Sequence, residues 1–472
     1  MPLFSRSRSA ALGLLLIICH AQALCAKPDI VLQAQYDQLS GQFAAANPEW
    51  RPKPPATGNL LFIAPDEYSP APAEDATHRE ARNQYANALF DLARQAADSG
   101  QLSLAFQWTT EALRENPDHA DARRVLGYEQ RDGKWLTPFG VKMFDAGKVW
   151  NSKQGWVAAN DAKSHDAADQ GNAARHADIK NGWQVRTDHF LVTTNHSLAA
   201  GAELAARLEQ LYQIWRQLFA GFYYSEKEVR GLFAGDRNAR TQIRPFRVYY
   251  YRNRTEYADA LRRRQPRIDQ TLGIYFDTTR EAHFFAADNS ANGKSKTANS
   301  VTDAPPIPTL FHEAVHQLFQ ESKPTAKQIG TIGNFWVVEG VATYFETLTE
   351  HSDPQAGLYF TIGEATAGRL PTARQHLQEG VYVPLGELVR LSNVDMQRYP
   401  DIRKLYSELA GLAAFLIDGQ QGRYREPLVR YLQAVYAGHD NDGTLAEVTE
   451  NTNAELDAQY RRFIAELAVK TP

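Results

Sequence analysis

Hydrophobic residues along this chain alternate repeatedly between helical and strand spacing. From Glu80, the residues Leu92, Ala93, Ala96, Gly100, Ala105, Ala112, Leu113 and Pro117 fall at the spacing of a helix–turn–helix unit. Leu126 and Gly127 then take up the register of Leu92 and Ala93, 34 residues on. Small side chains allow two helices to approach closely, Gly100 suits the turn and Pro117 stops the second helix. One strand pattern begins at Trp183, with Val185, Phe190, Leu191 and Val192, and ends at Asn195. Leu204, Leu208, Leu211, Trp215 and Leu218 follow at helical spacing. Phe246–Tyr251 reads as a strand, Thr255–Arg264 as a helix, and Gly273–Phe276 with Ala282–Ala287 as a strand pair. This order predicts an α+β fold, a small mixed sheet with helices packed on it. Beyond Asp353 helical spacing returns, with Leu428, Tyr431, Leu432 and Val435 on one face and Leu456, Tyr460, Phe463 and Ile464 on another. These helices are expected to form a lobe that closes a cleft from below.

Composition places boundaries between these regions. Residues 1–26 have Arg6 and Arg8, then an apolar run from Ala10 to Cys19 and small residues at Ala21, Ala23 and Ala26, the plan of a cleavable secretory signal. Leu24 before Cys25 is too large for a lipoprotein anchor. Residues 27–79 are a Pro-rich lead-in, expected to hold a short helix at most. Helical repeats occupy 80–130, a small irregular or β-containing segment and linker 131–180, the sheet and its helices 181–352, and the helical lobe 353–472. Both cysteines, Cys19 and Cys25, fall in the signal, so no disulfide or thiolate chemistry is expected afterwards. Export without disulfides points to a periplasmic or secreted protein. The formal charge of −4 is spread among both signs, which favours neither nucleic acid nor an anionic membrane as partner. No later stretch is apolar enough to span a bilayer.

The chemistry is concentrated after residue 308. Leu310 to Phe319 is helix-forming, with Thr309 expected to cap it after Pro308. Four residues advance a helix by just over one turn, so His312 and His316 share a face, about 6 Å apart. Two imidazoles so placed reach one zinc ion at about 2.0–2.1 Å each. Glu313 points about 100° away round the helix, where it can reach a water rather than the metal. The H-E-x-x-H arrangement thus separates metal binding from base chemistry.

Trp336 to Glu346 forms a second helical pattern, and its Glu339 lies 23 residues beyond His316. Together the two segments resemble the gluzincin metallopeptidases, and particularly the M1 aminopeptidase-type branch, whose second helix reads W-x-x-E-G-x-A-T-Y-x-E. The resemblance implies that His312, His316 and Glu339 are the ligands of one zinc ion, that Glu313 is the catalytic base, and that the domain is zincin-like. Tyr406, 67 residues after Glu339, falls on the tyrosine that in this branch stabilises the oxyanion, although Glu408 and Leu409 replace the usual Lys and Gly. No G-x-M-E-N strand is present and Val338 replaces an Asn. The departures favour an endopeptidase or processing enzyme acting on a peptide or protein substrate over an aminopeptidase. The helical segment is similar to about one and a half tetratricopeptide repeats, too few for the usual groove. The whole chain resembles an uncharacterised bacterial group of exported peptidase-like proteins.

Two other functions fit the same residues. One is a binding protein with a structural or inactive zinc site that acts through its helical repeats. The other is a zinc hydrolase cleaving an ester or a small amide. If the strand before the metal helix lines the cleft, it is Gly273–Phe276 or Ala282–Ala287.

Overall fold

The computed structural model describes residues 28–48, 51–65, 79–160, 174–236, 244–286, 307–326 and 329–467. The signal-like segment, Pro70, Pro72, His165 and most of the Asp288–Pro308 stretch lie outside them. Helices and small sheets are mixed, in agreement with the α+β expectation.

The lead-in departs from expectation. It carries a 19-residue helix, α1 (Pro28–Ala46), and a strand, β1 (Asn59–Leu61). Single aromatics scattered among Ala and Gln give α1 a weak pattern, yet they dock it. Phe43 stacks on Tyr85 with ring centroids 4.1 Å apart, and Tyr36 stacks on Trp108 at 5.2 Å. Those partners belong to α2 (Arg79–Asp98) and α3 (Leu102–Glu115), which pack together through fully buried Ala93, Ala96, Ala97, Ala105 and Ala112. Gly100 turns between them at φ +80°, a conformation that costs a side-chain-bearing residue strain. After α4 (Ala120–Leu126) come two hairpins, β2 (Glu129–Arg131) with β3 (Lys134–Leu136) and β4 (Lys148–Asn151) with β5 (Gly155–Ala158), separated by α5 (Pro138–Asp145).

The central sheet has five strands: β6 (Trp183–Arg186), β7 (Phe190–Thr194), β8 (Phe246–Tyr251), β9 (Gly273–Phe276) and β10 (Glu281–Phe285). Their order is β6-β7-β8-β10-β9. Strands β7, β8 and β10 run parallel, while β6 and β9 are antiparallel to their neighbours. β9 is therefore an edge and β10 is interior, which decides between the two candidate cleft strands. Between strands lie α6 (Leu198–Leu218), α7 (Glu226–Ala234) and α8 (Arg254–Leu261).

On one face of this sheet sits α9 (Ile307–Ser322). It starts three residues earlier than the sequence suggested, so Thr309 lies in the first turn rather than at the cap. Pro308 is at home there, because first-turn N–H groups need no helical partner. Leu310, Ala314, Val315, Leu318 and Phe319 bury one side of α9, with Phe319 edge-on to Trp215 at 5.5 Å. The metal-ligand candidates occupy the other side.

Next come α10 (Phe335–Phe345) and a hairpin that helical periodicity did not predict, β11 (Thr349–Asp353) with β12 (Gly357–Ile362). β12 also pairs with β1, some 300 residues earlier, giving the order β1-β12-β11. The rest is helical: α11 (Leu370–Gln378), α12 (Asn393–Gln397), α13 (Ile402–Gly422), α14 (Arg425–Ala437), α15 (Thr444–Thr449) and α16 (Asn453–Glu466). One continuous buried apolar cluster runs from Leu32 to Leu467, joining the N-terminal helices to those of the metal site. A second, small cluster of Tyr251, Tyr257, Leu261, Ile268 and Phe285 lies apart from it, round β8, α8 and β10.

Candidate metal centre

Two packing contacts fix the site. Gly340 presses α10 onto α13 so tightly that a Cβ there would meet the Leu409 carbonyl oxygen at 3.0 Å and Ala413 Cβ at 3.6 Å. At the start of α10, fully buried Trp336 donates its indole N–H to the Tyr431 hydroxyl (3.1 Å), which itself hydrogen-bonds Asn334. Asn334 adopts φ +57° and reaches Asp440 at 2.7 Å, so the entry to the helix is held from three directions. α10 thereby presents Glu339, only 9% exposed, to the two histidines of α9.

His312 Nε2 lies 3.2 Å from His316 Nε2. Glu339 places Oε2 3.5 Å from the first and Oε1 3.7 Å from the second. Among the described residues this is the group of three or more His, Cys, Asp or Glu side chains able to hold a metal ion. Donors about 2.0–2.1 Å from a tetrahedral zinc sit about 3.4 Å from one another, and the observed separations straddle that spacing. Two imidazoles and one carboxylate are also the ligand types that zinc accepts, with a fourth position left for water or substrate. The donor set therefore fits the ion.

The electrostatics favour a cation here. Burial lowers the proton affinity of His312, but hydrogen bonds to Glu339 and Glu346 outweigh it and raise the imidazole to about 10. Burial likewise opposes ionisation of Glu339, and the two histidines overcome it, holding the carboxyl well below its ordinary range. A pocket that pulls positive charge onto an imidazole suits a divalent ion equally well.

Glu313 accepts a hydrogen bond from the backbone N–H of Tyr275 at 3.0 Å, which ties the helix to edge strand β9. One carboxylate oxygen is thus anchored, and the charge acts on both His312 and Tyr406. Tyr406, from α13, is brought to the same place. Burial first, and then the neighbouring Glu339 carboxylate, keep its hydroxyl firmly protonated.

Two residues in the cluster received no role from sequence. Glu346 sets Oε1 3.0 Å from His312 Nδ1, and its Oε2 accepts from Arg369 Nε at 2.9 Å. The Arg369 guanidinium also lies 5.6 Å from the Tyr406 ring centre. A signal for Glu346 was available: it follows Glu339 by seven residues, two helical turns, on the same face. Arg369 had none, since the hairpin β11–β12 intervenes.

No protein-family model matches the chain, and no curated protein is detectably similar to it.

Proposed function

We propose that the chain is a zinc-dependent metallopeptidase with a zincin-like core, of the endopeptidase or processing type, exported from the cell and preceded by a tetratricopeptide-like helical segment. The observation that carries this reading is the convergence of His312, His316 and Glu339 at 3.2, 3.5 and 3.7 Å, with Glu313 and Tyr406 beside them. No described helix is long and apolar enough to cross a membrane.

A bound zinc ion supplies Lewis acidity, lowering the pKa of a water and polarising a carbonyl. Glu313 removes the water proton and delivers it to the leaving amine. The Tyr406 hydroxyl, kept protonated by its surroundings, donates to the oxygen that gains charge as the carbonyl becomes tetrahedral. Glu346 orients His312 so that Nε2 faces the metal position. Edge strand β9 offers main-chain groups to an extended substrate, as open sheet edges do.

The test combines metal analysis with cleavage-site profiling by mass spectrometry on a peptide mixture. One zinc per chain and hydrolysis by the parent, with zinc kept but hydrolysis lost in Glu313→Gln, is the expected result. Zinc-loaded parent that cleaves no peptide bond overturns it.

A further inference from the structure

A cleft of about 660 Å³ opens on another part of the molecule, between α1, the segment from Pro54 to Phe62, α3 and the junction of α13 with α14. None of the metal-centre residues lines it. Its volume falls in the range of sites that hold ligands, roughly 300–1,000 Å³.

Three features of its walls point to one kind of occupant. The first is a sheet edge. β1 pairs with β12 on one side and has no described strand on the other, while Asn59, Leu60 and Leu61 all line the cleft. In an antiparallel ladder alternate residues turn N–H and C=O away from their partner, so β1 directs main-chain groups off the sheet. The opposite edge of the same sheet, β11, carries exposed Glu350 and Asp353, the usual protection against strand addition. β1 reads Asn-Leu-Leu and has no such charge.

The second feature is donors in want of acceptors. Arg51 Nε and Gln107 Nε2 are buried beside the cleft, and no described residue accepts from either. Arg51 as a whole is 94% buried, since 6% of its surface is exposed. Carbonyl oxygens are the complement such groups require. The third is charge balance. Arg51 is paired with Glu111, and Arg425 bonds Asn59 Oδ1 at 2.9 Å beside Asp418. Both cations among the described lining residues are engaged, so an anionic ligand finds no free counter-charge, and the lining carboxylates Asp37 and Glu466 disfavour it further, whereas a chain of alternating donors and acceptors fits.

We infer that this cleft binds an extended polypeptide segment, supplied by another molecule, as an added strand along Asn59–Leu61. Strain in the wall agrees with a built site: Gln420 and Gln421, which line it where α13 breaks, hold φ of +51° and +60°. The inference does not depend on the zinc reading, because it concerns capture and not cleavage.

The experiment uses the full chain carrying Glu313→Gln, so that no captured chain is cut. β-Casein serves as the unfolded polypeptide and maltopentaose as the oligosaccharide probe. A photoreactive benzoylphenylalanine at Leu60 should crosslink to casein, and maltopentaose should not compete. Leu60→Lys should weaken casein binding at least tenfold with its thermal unfolding unchanged, and Leu60→Val should bind like the parent. Equal binding by Leu60→Lys, displacement by maltopentaose, or a crosslink confined to the protein's own chain each overturns the inference. Should Leu60→Lys fail to fold, the identity of the crosslinked partner still decides.

Discussion

Glu346 grips the back of the His312 ring, with Oε1 3.0 Å from Nδ1. A carboxylate only accepts, so Nδ1 carries a proton toward Glu346, and a metal ion taking the place of the Nε2 proton would find that nitrogen already facing Glu339 and His316. Removing the grip frees the ring to rotate and to change tautomer. Glu346→Ala is expected to weaken zinc binding about 10–100-fold while the chain stays folded. Chelator competition followed by a zinc-sensitive dye measures this, and an unchanged affinity refutes the role.

Tyr406→Phe separates transition-state stabilisation from binding. The expected outcome is a fall of about 10²–10³ in kcat with zinc content and KM nearly unchanged. A variant as fast as the parent on the same peptide shows that the hydroxyl is a packing group.

Gly340→Ala tests whether contact between α10 and α13 sets the metal geometry. Its Cβ meets a backbone oxygen at 3.0 Å, which cannot swing aside as a flexible side chain would. Overpacking of this kind costs about 1–3 kcal/mol. A lower melting temperature accompanied by weaker zinc binding is expected, since Glu339 is the adjacent residue. Full zinc affinity in a destabilised protein disconnects the two.

Glu408 makes a pH prediction. It is 3% exposed, and burial, reinforced by Asp457 and opposed by the Tyr460 hydroxyl, raises its carboxyl from 4.5 to about 8. The folded state therefore keeps this proton after the unfolded chain has released it. Stability from this group is complete below pH 4.5 and is lost as pH rises toward 8. The loss is on the order of a few kcal/mol. Asp418, raised to about 7 by burial against the pull of Arg425, adds a similar slope at lower pH. Glu408→Gln should flatten the melting temperature between pH 5 and 8, leaving the Asp418 part. A slope equal to that of the parent rejects the assignment.

Sequence reading captured what depends on local period. Strands β8, β9 and β10, helices α6, α9, α10 and α13, and their order were legible because each is strongly patterned, whereas β6 and β7 read as one strand because only Thr187 to His189 separate them. The convergence of Glu339 with the two histidines was expected only through a resemblance, since no spacing rule joins α9 to α10. Other features were hidden for identifiable reasons. α1 is held by Phe43 on Tyr85 and Tyr36 on Trp108, tertiary contacts that leave little amphipathic trace. β11 reads Thr-Glu-His-Ser-Asp and is a strand because β12 pairs with it. Arg369 reaches Glu346 across that hairpin, and the chain between them carries no mark of the meeting.

Asn59 stands in β1, yet its side-chain amide donates to Asp418 near the end of α13. Tyr344 donates to both oxygens of the same carboxylate at 2.9 Å, from the helix that carries Glu339. A residue made early in synthesis thus completes a keystone whose other stones arrive hundreds of residues later. Cut away before Arg79, the part that carries His312, His316 and Glu339 would lose a sheet strand and leave a buried acid short of a donor. Trimming from the front is therefore expected to loosen the helix that carries Glu339 without touching any of the three clustered side chains.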